Sequence, residues 1–118
     1  MEDKALLSLI ESELEELQAF ETLVLDVKEL TTITDTMIIT SGRSTRHVKA
    51  VAKKLIEKLK AEGARPLSNN GVDQGEWALI DCGEVLIHIM LPQVRAFYHL
   101  ENLWQHQEPK DNPASNEN

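Results

Sequence analysis

The sequence predicts a single α/β domain, a mixed sheet of about five strands flanked by helices. Two patterns indicate it: apolar residues at three- and four-residue spacing, typical of amphipathic helices, and short β-branched or alternating runs, typical of strands. The length of 118 residues suits one hydrophobic core. We expect the domain to span residues 1–104 and the polar tail, residues 105–118, to be disordered because it has little to bury.

The first third of the chain predicts one helix and two strands. The helix runs from about Lys4 to Gln18, with an apolar stripe of Leu6, Leu7, Ile10, Leu14 and Leu17. The β-branched runs Thr22–Lys28 and Thr36–Thr40 follow, separated by a polar loop. We expect both runs to be core strands.

The middle of the chain predicts a second helix. Ser41-Gly42-Arg43-Ser44 ends the preceding strand and supplies hydroxyls that can cap a helix reaching about Ala61. The buried stripe of this helix is Val48, Ala52, Leu55 and Leu59. Arg65–Ser68 can form a short strand, which belongs at a sheet edge because Pro66 donates no hydrogen bond.

A hairpin is predicted next, with strands Glu76–Asp81 and Glu84–Leu91 around a turn at Cys82-Gly83. This register places Trp77 opposite His88 and Leu79 opposite Leu86. One face is wholly aliphatic, with Ala78, Ile80, Val85, Ile87 and Ile89. The other mixes apolar and charged groups and is called the Trp77 face: Trp77, Leu79, Asp81, Glu84, Leu86, His88 and Met90.

The sequence leaves open whether the first helix covers the Trp77 face or leaves it exposed. Asp81, Glu84 and His88 favour exposure, because buried charges are costly unless paired. An exposed mixture of this kind is typical of a protein interface. After Pro92, a last short helix is predicted to place Val94, Phe97, Leu100 and Trp104 on one side and Arg95, Tyr98 and Asn102 on the other.

Charge is segregated along the chain. The formal net charge is −8, made up of −7 for residues 1–30, +5 for residues 31–70 and −6 for residues 71–118. An acidic protein attracts basic partners and repels free nucleic acid, so a basic protein partner is favoured. The single Cys82 and the absence of a signal-peptide pattern or a long apolar run lead us to expect a cytoplasmic protein that does not enter a membrane.

Enzyme chemistry finds little support. The chain contains no Asp-x-Asp pair for magnesium, and the predicted register separates Asp81 from His88 by about 13 Å, too far for a hydrogen bond. The histidines and Cys82 show no metal-ligand spacing, and no base lies near Cys82 in the sequence. We therefore expect no cofactor, no metal and no catalytic residue.

Basic residues line one side of the central helix: Arg46, Lys49, Lys53 and Lys60. They are either a solvated helix face or a contact for nucleic acid, and few aromatic residues accompany them to stack on bases.

Taken together, the motifs resemble the ribosomal silencing factor family, also called Iojap-like, over about Lys4 to Trp104. The similarity rests on Leu25-Asp26-Val27, Ile33-Thr34-Asp35, Met37-Ile38-Ile39, Ser41-Gly42, Ser44-Thr45-Arg46-His47-Val48, Trp77, Asp81-Cys82-Gly83, Val85, His88, Arg95, Tyr98, Leu100-Glu101 and Leu103-Trp104. The chain departs from the family at Asn70, where an acid is usual, and at Thr36, where an aromatic residue is frequent.

The resemblance implies an α/β fold like that of nucleotidyltransferases without their catalytic carboxylates. It also implies a translation repressor that binds ribosomal protein fourteen of the large subunit and sterically blocks joining of the small subunit when nutrients are scarce. The expected docking residues are Trp77, Leu79, Asp81, His88, Met90, Arg95, Tyr98 and Glu101. Two rival hypotheses are a nucleotide-handling enzyme that uses the Ser41 to Thr45 turn, and a homodimer formed through the hairpin face.

Overall fold

The computed structural model of the chain describes residues 3–105 and confirms the predicted α/β class. Its elements are α1 (Asp3–Glu16), β1 (Phe20–Asp26), β2 (Thr36–Ser41), α2 (Thr45–Ala61), β3 (Ser68–Asn70), β4 (Trp77–Asp81), β5 (Val85–Met90), α3 (Pro92–Tyr98) and α4 (Leu100–Gln105). The five strands form one mixed sheet in the order β1-β2-β5-β4-β3, in which β2 and β5 are parallel and the other neighbours are antiparallel. The predicted disordered tail lies outside the described residues from 106 onward.

Helices α1 and α2 pack on the aliphatic face of the hairpin. The apolar stripe of α1 is buried at Leu6, Ile10 and Leu14, and all four predicted stripe residues of α2 are fully buried. They contact the aliphatic side chains of β4 and β5, none of which is more than 2% exposed. Ser44 caps α2 as predicted, its hydroxyl accepting a 3.1 Å hydrogen bond from the N–H of His47. Residues that share this core therefore fix both helices on one side of the sheet.

The two outer strands differ from the expectation. The prediction of a core strand is correct for β2, which is buried from Met37 to Ser41, but wrong for β1, which is an edge strand with exposed Thr22 and Val24. The opposite edge is β3, which begins at Ser68, the last residue of the predicted Arg65–Ser68 segment, and all three of its residues are exposed. A β-branched composition predicts that a segment forms a strand, but the position of that strand in the sheet depends on which other segments pair with it.

The hairpin forms with a register two residues away from the predicted one. Trp77 pairs with Met90, and Leu79 pairs with His88. The turn is therefore at Gly83 and Glu84 rather than at Cys82 and Gly83, and Gly83 has the positive φ of 86° that hairpin turns require. Because the shift is even, every side chain stays on its predicted face.

The C-terminal segment is two helices instead of the one predicted. His99 adopts a left-handed conformation with φ 52° and separates α3 from α4. The side chains of α3 also differ from the expectation: Arg95, expected to point away, is buried, whereas Phe97, expected to be buried, is 78% exposed. Leu100 and Trp104 pack on the far side of the sheet from α1 and α2, and Val94 contacts both cores. The Trp77 face is thus partly covered by α3 and α4, and not by the first helix.

Candidate docking surface

Aromatic rings form a row that runs from the interior to solvent at one end of the Trp77 face. The indole N–H of half-buried Trp77 donates a 2.9 Å hydrogen bond to Nδ1 of His88. The ring centroid of Tyr98 lies 4.9 Å from that of Trp77, and Phe97 meets Tyr98 edge to face at 5.0 Å. We call these four residues the aromatic row. It joins β4, β5 and α3 into one surface, since tilted and edge-to-face contacts are the favoured geometries between aromatic rings.

His88 supports the row from below. It is only 7% exposed, and because Nδ1 accepts from Trp77, the ring proton must reside on Nε2. Nε2 is buried and has no hydrogen-bond partner among the described residues. Burial lowers the pKa of His88 to about 4, so the ring is neutral at physiological pH. His88 therefore orients Trp77 instead of presenting a charge to a partner.

Arg95 connects the helices that flank the row. Its Nε donates to Oε2 of Glu101 at 3.1 Å, and its Nη1 donates to Oγ of Ser41 at 2.9 Å. The guanidinium thereby joins α3 to the start of α4 and to the end of β2, and it is only 7% exposed. The expectation that Arg95 points outward is wrong because its hydrogen-bonding partners lie inside the fold.

The predicted docking residues divide into three groups by accessibility. Tyr98 is exposed; Trp77, Leu79, Asp81 and Glu101 are half-buried; His88, Met90 and Arg95 are buried. Met90 has no exposed area, so it can support the surface only from underneath. The accessible part of the site is consequently smaller than the residue set inferred from the sequence.

The hairpin register also changes the position of Asp81. In the observed register, Asp81 lies two positions from His88 along the hairpin, a diagonal spacing of about 7 Å. The predicted register separated the two residues by four positions, or about 13 Å. Oδ1 of Asp81 accepts a 2.9 Å hydrogen bond from the N–H of Gly83. Asp81 thus stabilises the turn while its half-buried side chain remains partly available on the Trp77 face.

Phe97 is the accessible residue that the sequence did not assign to this surface. Its spacing to Val94 is that of a continuous helix and predicts that the two side chains share one face. The interruption at His99 contains no glycine or proline, so the sequence pattern does not predict that the helix ends there. Leu103, in the following helix, is 69% exposed as well.

The basic side chains of α2 lie on the other side of the sheet. Arg46, Lys53 and Lys60 are exposed, and Lys49 is half-buried. Because α2 packs on the aliphatic face and the aromatic row lies on the Trp77 face, one flat partner surface cannot contact both.

Two backbone amides of the Ser41 to Thr45 turn donate internal hydrogen bonds. The N–H of Gly42 donates to the carbonyl of Met90 at 3.1 Å, and that of Arg43 donates to Nδ1 of His47 at 2.9 Å. A Cβ on Gly42 would lie 2.8 Å from Cγ2 of Val48, so close packing accounts for this glycine. The amides of Gly42 and Arg43 are therefore unavailable to a phosphate.

Cys82 lies between two carboxylates at the hairpin end. Burial, followed by the negative charges of Asp81 and Glu84, raises the pKa of its thiol to about 11. A thiol with so high a pKa is a poor nucleophile at neutral pH. Within residues 3–105, no group of three or more histidine, cysteine or acidic side chains is arranged to bind a metal ion.

None of the helices in the described part of the chain has both the length and the apolar composition needed to span a bilayer.

Comparisons with known proteins agree on one family. The family model described as "Ribosomal silencing factor during starvation" matches residues 1–118. The ribosomal silencing factor of Zymomonas mobilis is 37% identical over 110 residues, covering 93% of this chain and 83% of that protein. The factor of Chromobacterium violaceum is 41% identical over 96 residues, covering 81% of this chain and 79% of that protein.

A solved structure and a mouse relative extend the comparison. A crystal structure of a Chromobacterium violaceum protein matches with a TM-score of 0.86 and 37% identity, covering 97% of this chain and 95% of that one. A mouse protein named "Mitochondrial assembly of ribosomal large subunit protein 1" is 39% identical over 74 residues, which is 60% of this chain and 32% of that protein. The whole-chain family match and the identities above 30% show that this chain belongs to the ribosomal silencing factor family, whose members regulate translation.

Proposed function

We propose that this chain binds the large ribosomal subunit through ribosomal protein fourteen and prevents the small subunit from joining when nutrients are scarce. The observation that carries the proposal is the aromatic row, which brings Trp77, Tyr98 and Phe97 together at the surface, with the half-buried Asp81 farther along the same face of the hairpin. Partly exposed aromatic anchors with a polar rim are the usual composition of interface hot spots. The name of the mouse relative, which refers to the large ribosomal subunit, is consistent with this partner.

Charge supports the same partner class. The chain carries a net charge of −8, and ribosomal proteins are typically basic because they bind RNA. Opposite net charges accelerate association and suppress binding to acidic proteins. We therefore expect the association rate with large subunits to fall as salt concentration rises.

The mechanism we propose is steric occlusion. A protein bound where the two subunits meet blocks joining by its volume, so no bond is made or broken and no catalytic side chain is needed. A cytoplasmic location and a relationship of the fold to nucleotidyltransferases belong to the same proposal.

The rival nucleotide-handling function is tested by isothermal titration with a nucleoside triphosphate and magnesium, for which we expect no heat of binding.

Co-sedimentation with purified large subunits tests the docking surface. The double variant Trp77→Ala/Tyr98→Ala should lose at least tenfold in affinity, since truncation of hot-spot aromatics typically costs 2 kcal/mol or more. The matched control is Ile33→Ala, which shortens another exposed apolar side chain (73% exposed) on a distant loop and should bind like the wild type. Wild-type affinity of a folded double variant would contradict the docking assignment.

A subunit-joining assay tests the outcome of docking. Added wild-type protein should reduce the formation of joined ribosomes in proportion to the large subunits it occupies, and the double variant should not. If bound wild-type protein left joining unchanged, occlusion would be refuted while docking remained correct.

Two further partner hypotheses have separate tests. Replacing Arg46, Lys53 and Lys60 with glutamine lowers the affinity for large subunits only if the α2 stripe contacts ribosomal RNA. Light scattering on the wild type and on Trp77→Glu tests the homodimer, since a dimer built on the hairpin face would dissociate in the variant.

A further inference from the structure

The edge of the sheet at β1 has unpaired backbone groups. β1 pairs with β2 on one side and has no strand on its other side within residues 3–105. The N–H of Val27 donates to the carbonyl of Asp35 at 2.9 Å, which fixes the odd-numbered residues as those bonded to β2. In an antiparallel pair the alternate residues direct their amides outward. Val24 and Asp26 therefore direct both their N–H and C=O groups away from the sheet.

An acidic groove runs along this edge on the side of α1. Its volume is about 310 Å³, and its apolar part consists of Ala19, Phe20 and Val24. Its carboxylates are those of Glu11, Glu15 and Glu21, and none of the described residues that line it is a lysine or an arginine. Side chains alternate across a strand, so an extended segment added to β1 would place every second side chain in this groove.

We propose that the β1 edge binds an extended, basic segment of a protein partner as an additional strand. Backbone hydrogen bonds to Val24 and Asp26 supply affinity, and lysine or arginine side chains meet the carboxylates of the groove. The bulge between Phe20 and Leu23, where Glu21 has a φ of 52°, ends regular pairing, so the added strand covers about Thr22 to Asp26.

The negative charge at the β1 edge favours a basic segment over a second copy of this chain. A second copy of this chain would bring its own Glu21 and Asp26 against the same acids, and like charges on paired strands are destabilising. A basic segment meets the opposite charge. The opposite edge, β3, offers only three residues and no carboxylate within the strand, so it lacks this preference.

This surface is separate from the docking surface proposed above. Thr22 and Val24 face the side of the sheet that α1 occupies, whereas the aromatic row lies on the Trp77 face. The proposal can therefore be tested on the isolated chain without ribosomes.

The first experiment measures fluorescence anisotropy of a labelled ten-residue peptide of alternating lysine and valine. The triple variant Glu11→Gln/Glu15→Gln/Glu21→Gln should weaken binding at least tenfold. The control triple Glu29→Gln/Glu57→Gln/Glu62→Gln removes the same charge elsewhere and should weaken it less than threefold. Equal weakening by both triples would overturn the proposal in favour of a general charge effect, and absence of wild-type binding would overturn it directly.

The second experiment locates the peptide by residue-resolved amide hydrogen exchange. Peptide binding should slow exchange at Val24 and Asp26 at least tenfold and leave Leu25, already bonded to β2, within twofold. A peptide N-methylated at every second residue should give no protection. Unchanged exchange at Val24 and Asp26 with the peptide bound, or protection of both amides in a peptide-free dimer, would overturn strand addition.

Discussion

The indole nitrogen of Trp77 donates to Nδ1 of His88 over 2.9 Å, so the folded chain requires neutral histidine at this position. A protonated His88 would present a second N–H to the indole N–H and lose the bond. Burial also disfavours the positive charge of protonated His88 and lowers its pKa from 6.5 to about 4. The residue that orients Trp77 is therefore also sensitive to acid.

Stability should depend on pH through His88. In the unfolded chain the histidine binds a proton near pH 6.5, whereas the folded chain resists protonation until about pH 4. The unfolded state therefore binds more protons between these values, and the free energy of unfolding decreases as pH falls through this window. The neutral state of His88 contributes about 3 kcal/mol to the free energy of unfolding. This contribution is complete above pH 6.5 and is lost as the pH falls through the folded pKa. Urea unfolding at pH 7 and pH 5 should show a loss of about 2 kcal/mol, because pH 5 is still above the folded pKa and only part of the contribution is lost there.

Two His88 variants separate the charge from the hydrogen bond. His88→Asn keeps an acceptor near the position of Nδ1 and does not titrate, so its stability should change less between pH 7 and pH 5 than that of the wild type. His88→Phe also removes the titration, and it leaves the indole N–H without an acceptor, at a cost of about 1–3 kcal/mol. A pH dependence identical to that of the wild type in both variants would contradict the role of His88.

Removing the cation of Arg95 should destabilise the C-terminal helices. Arg95→Met leaves Glu101 and the buried Ser41 hydroxyl without their donor, and breaking one side of a buried pair typically costs about 3 kcal/mol. The control is Lys58→Met in the solvent-exposed Lys58–Glu62 pair, where the loss should stay below about 1 kcal/mol. Thermal unfolding compares the two, and equal losses would show that Arg95 is not a structural link.

Gly71 should tolerate no side chain, because it lies directly against the strand that carries Trp77. It has a φ of 76°, and an added Cβ would collide with the carbonyl oxygen of Trp77. We expect Gly71→Ala to cost about 3 kcal/mol and to weaken large-subunit binding by displacing β4. Gly63→Ala is the matched control: φ is 82° but no atom lies within 4 Å, so only the backbone strain of about 1 kcal/mol applies. Similar losses in both variants would rule out the collision.

Cys82 should react slowly with iodoacetamide. Its pKa is raised from 9.0 to about 11, so its thiolate fraction at pH 8 is about a hundredfold lower than that of an unperturbed thiol. Glu84→Gln removes one of the two neighbouring charges and should accelerate alkylation, whereas urea-unfolded protein should react fastest. Rapid alkylation of the folded wild type would contradict the burial of the thiol.

Local patterns were sufficient for much of this fold. The stripes of α1 and α2, the capping hydroxyl of Ser44 and the two faces of the hairpin were all predicted from spacing alone. The assignment of side chains to the two faces is correct although the predicted register is wrong, because a shift of two residues leaves the alternation of side chains unchanged. The family was likewise indicated by motifs that lie far apart in the sequence.

Other features depend on contacts between distant segments and could not be inferred from local pattern. The edge position of β1 follows from the order in which strands pair, and the helix break at His99 carries no glycine or proline signal. The way α3 packs on the fold directs Arg95 inward to Ser41, a residue 54 positions earlier, and Phe97 outward.

The sequence by itself determined the class of the fold, the composition of each strand face and the family, because periodicity, turn residues and motif spacing are local properties of the chain. Only the tertiary structure decided which members of the Trp77 face reach solvent. Burial is the sum of contacts from segments that fold onto one another: α3 and α4 cover Met90 and enclose Arg95, while the same packing brings Tyr98 against Trp77 and leaves it accessible.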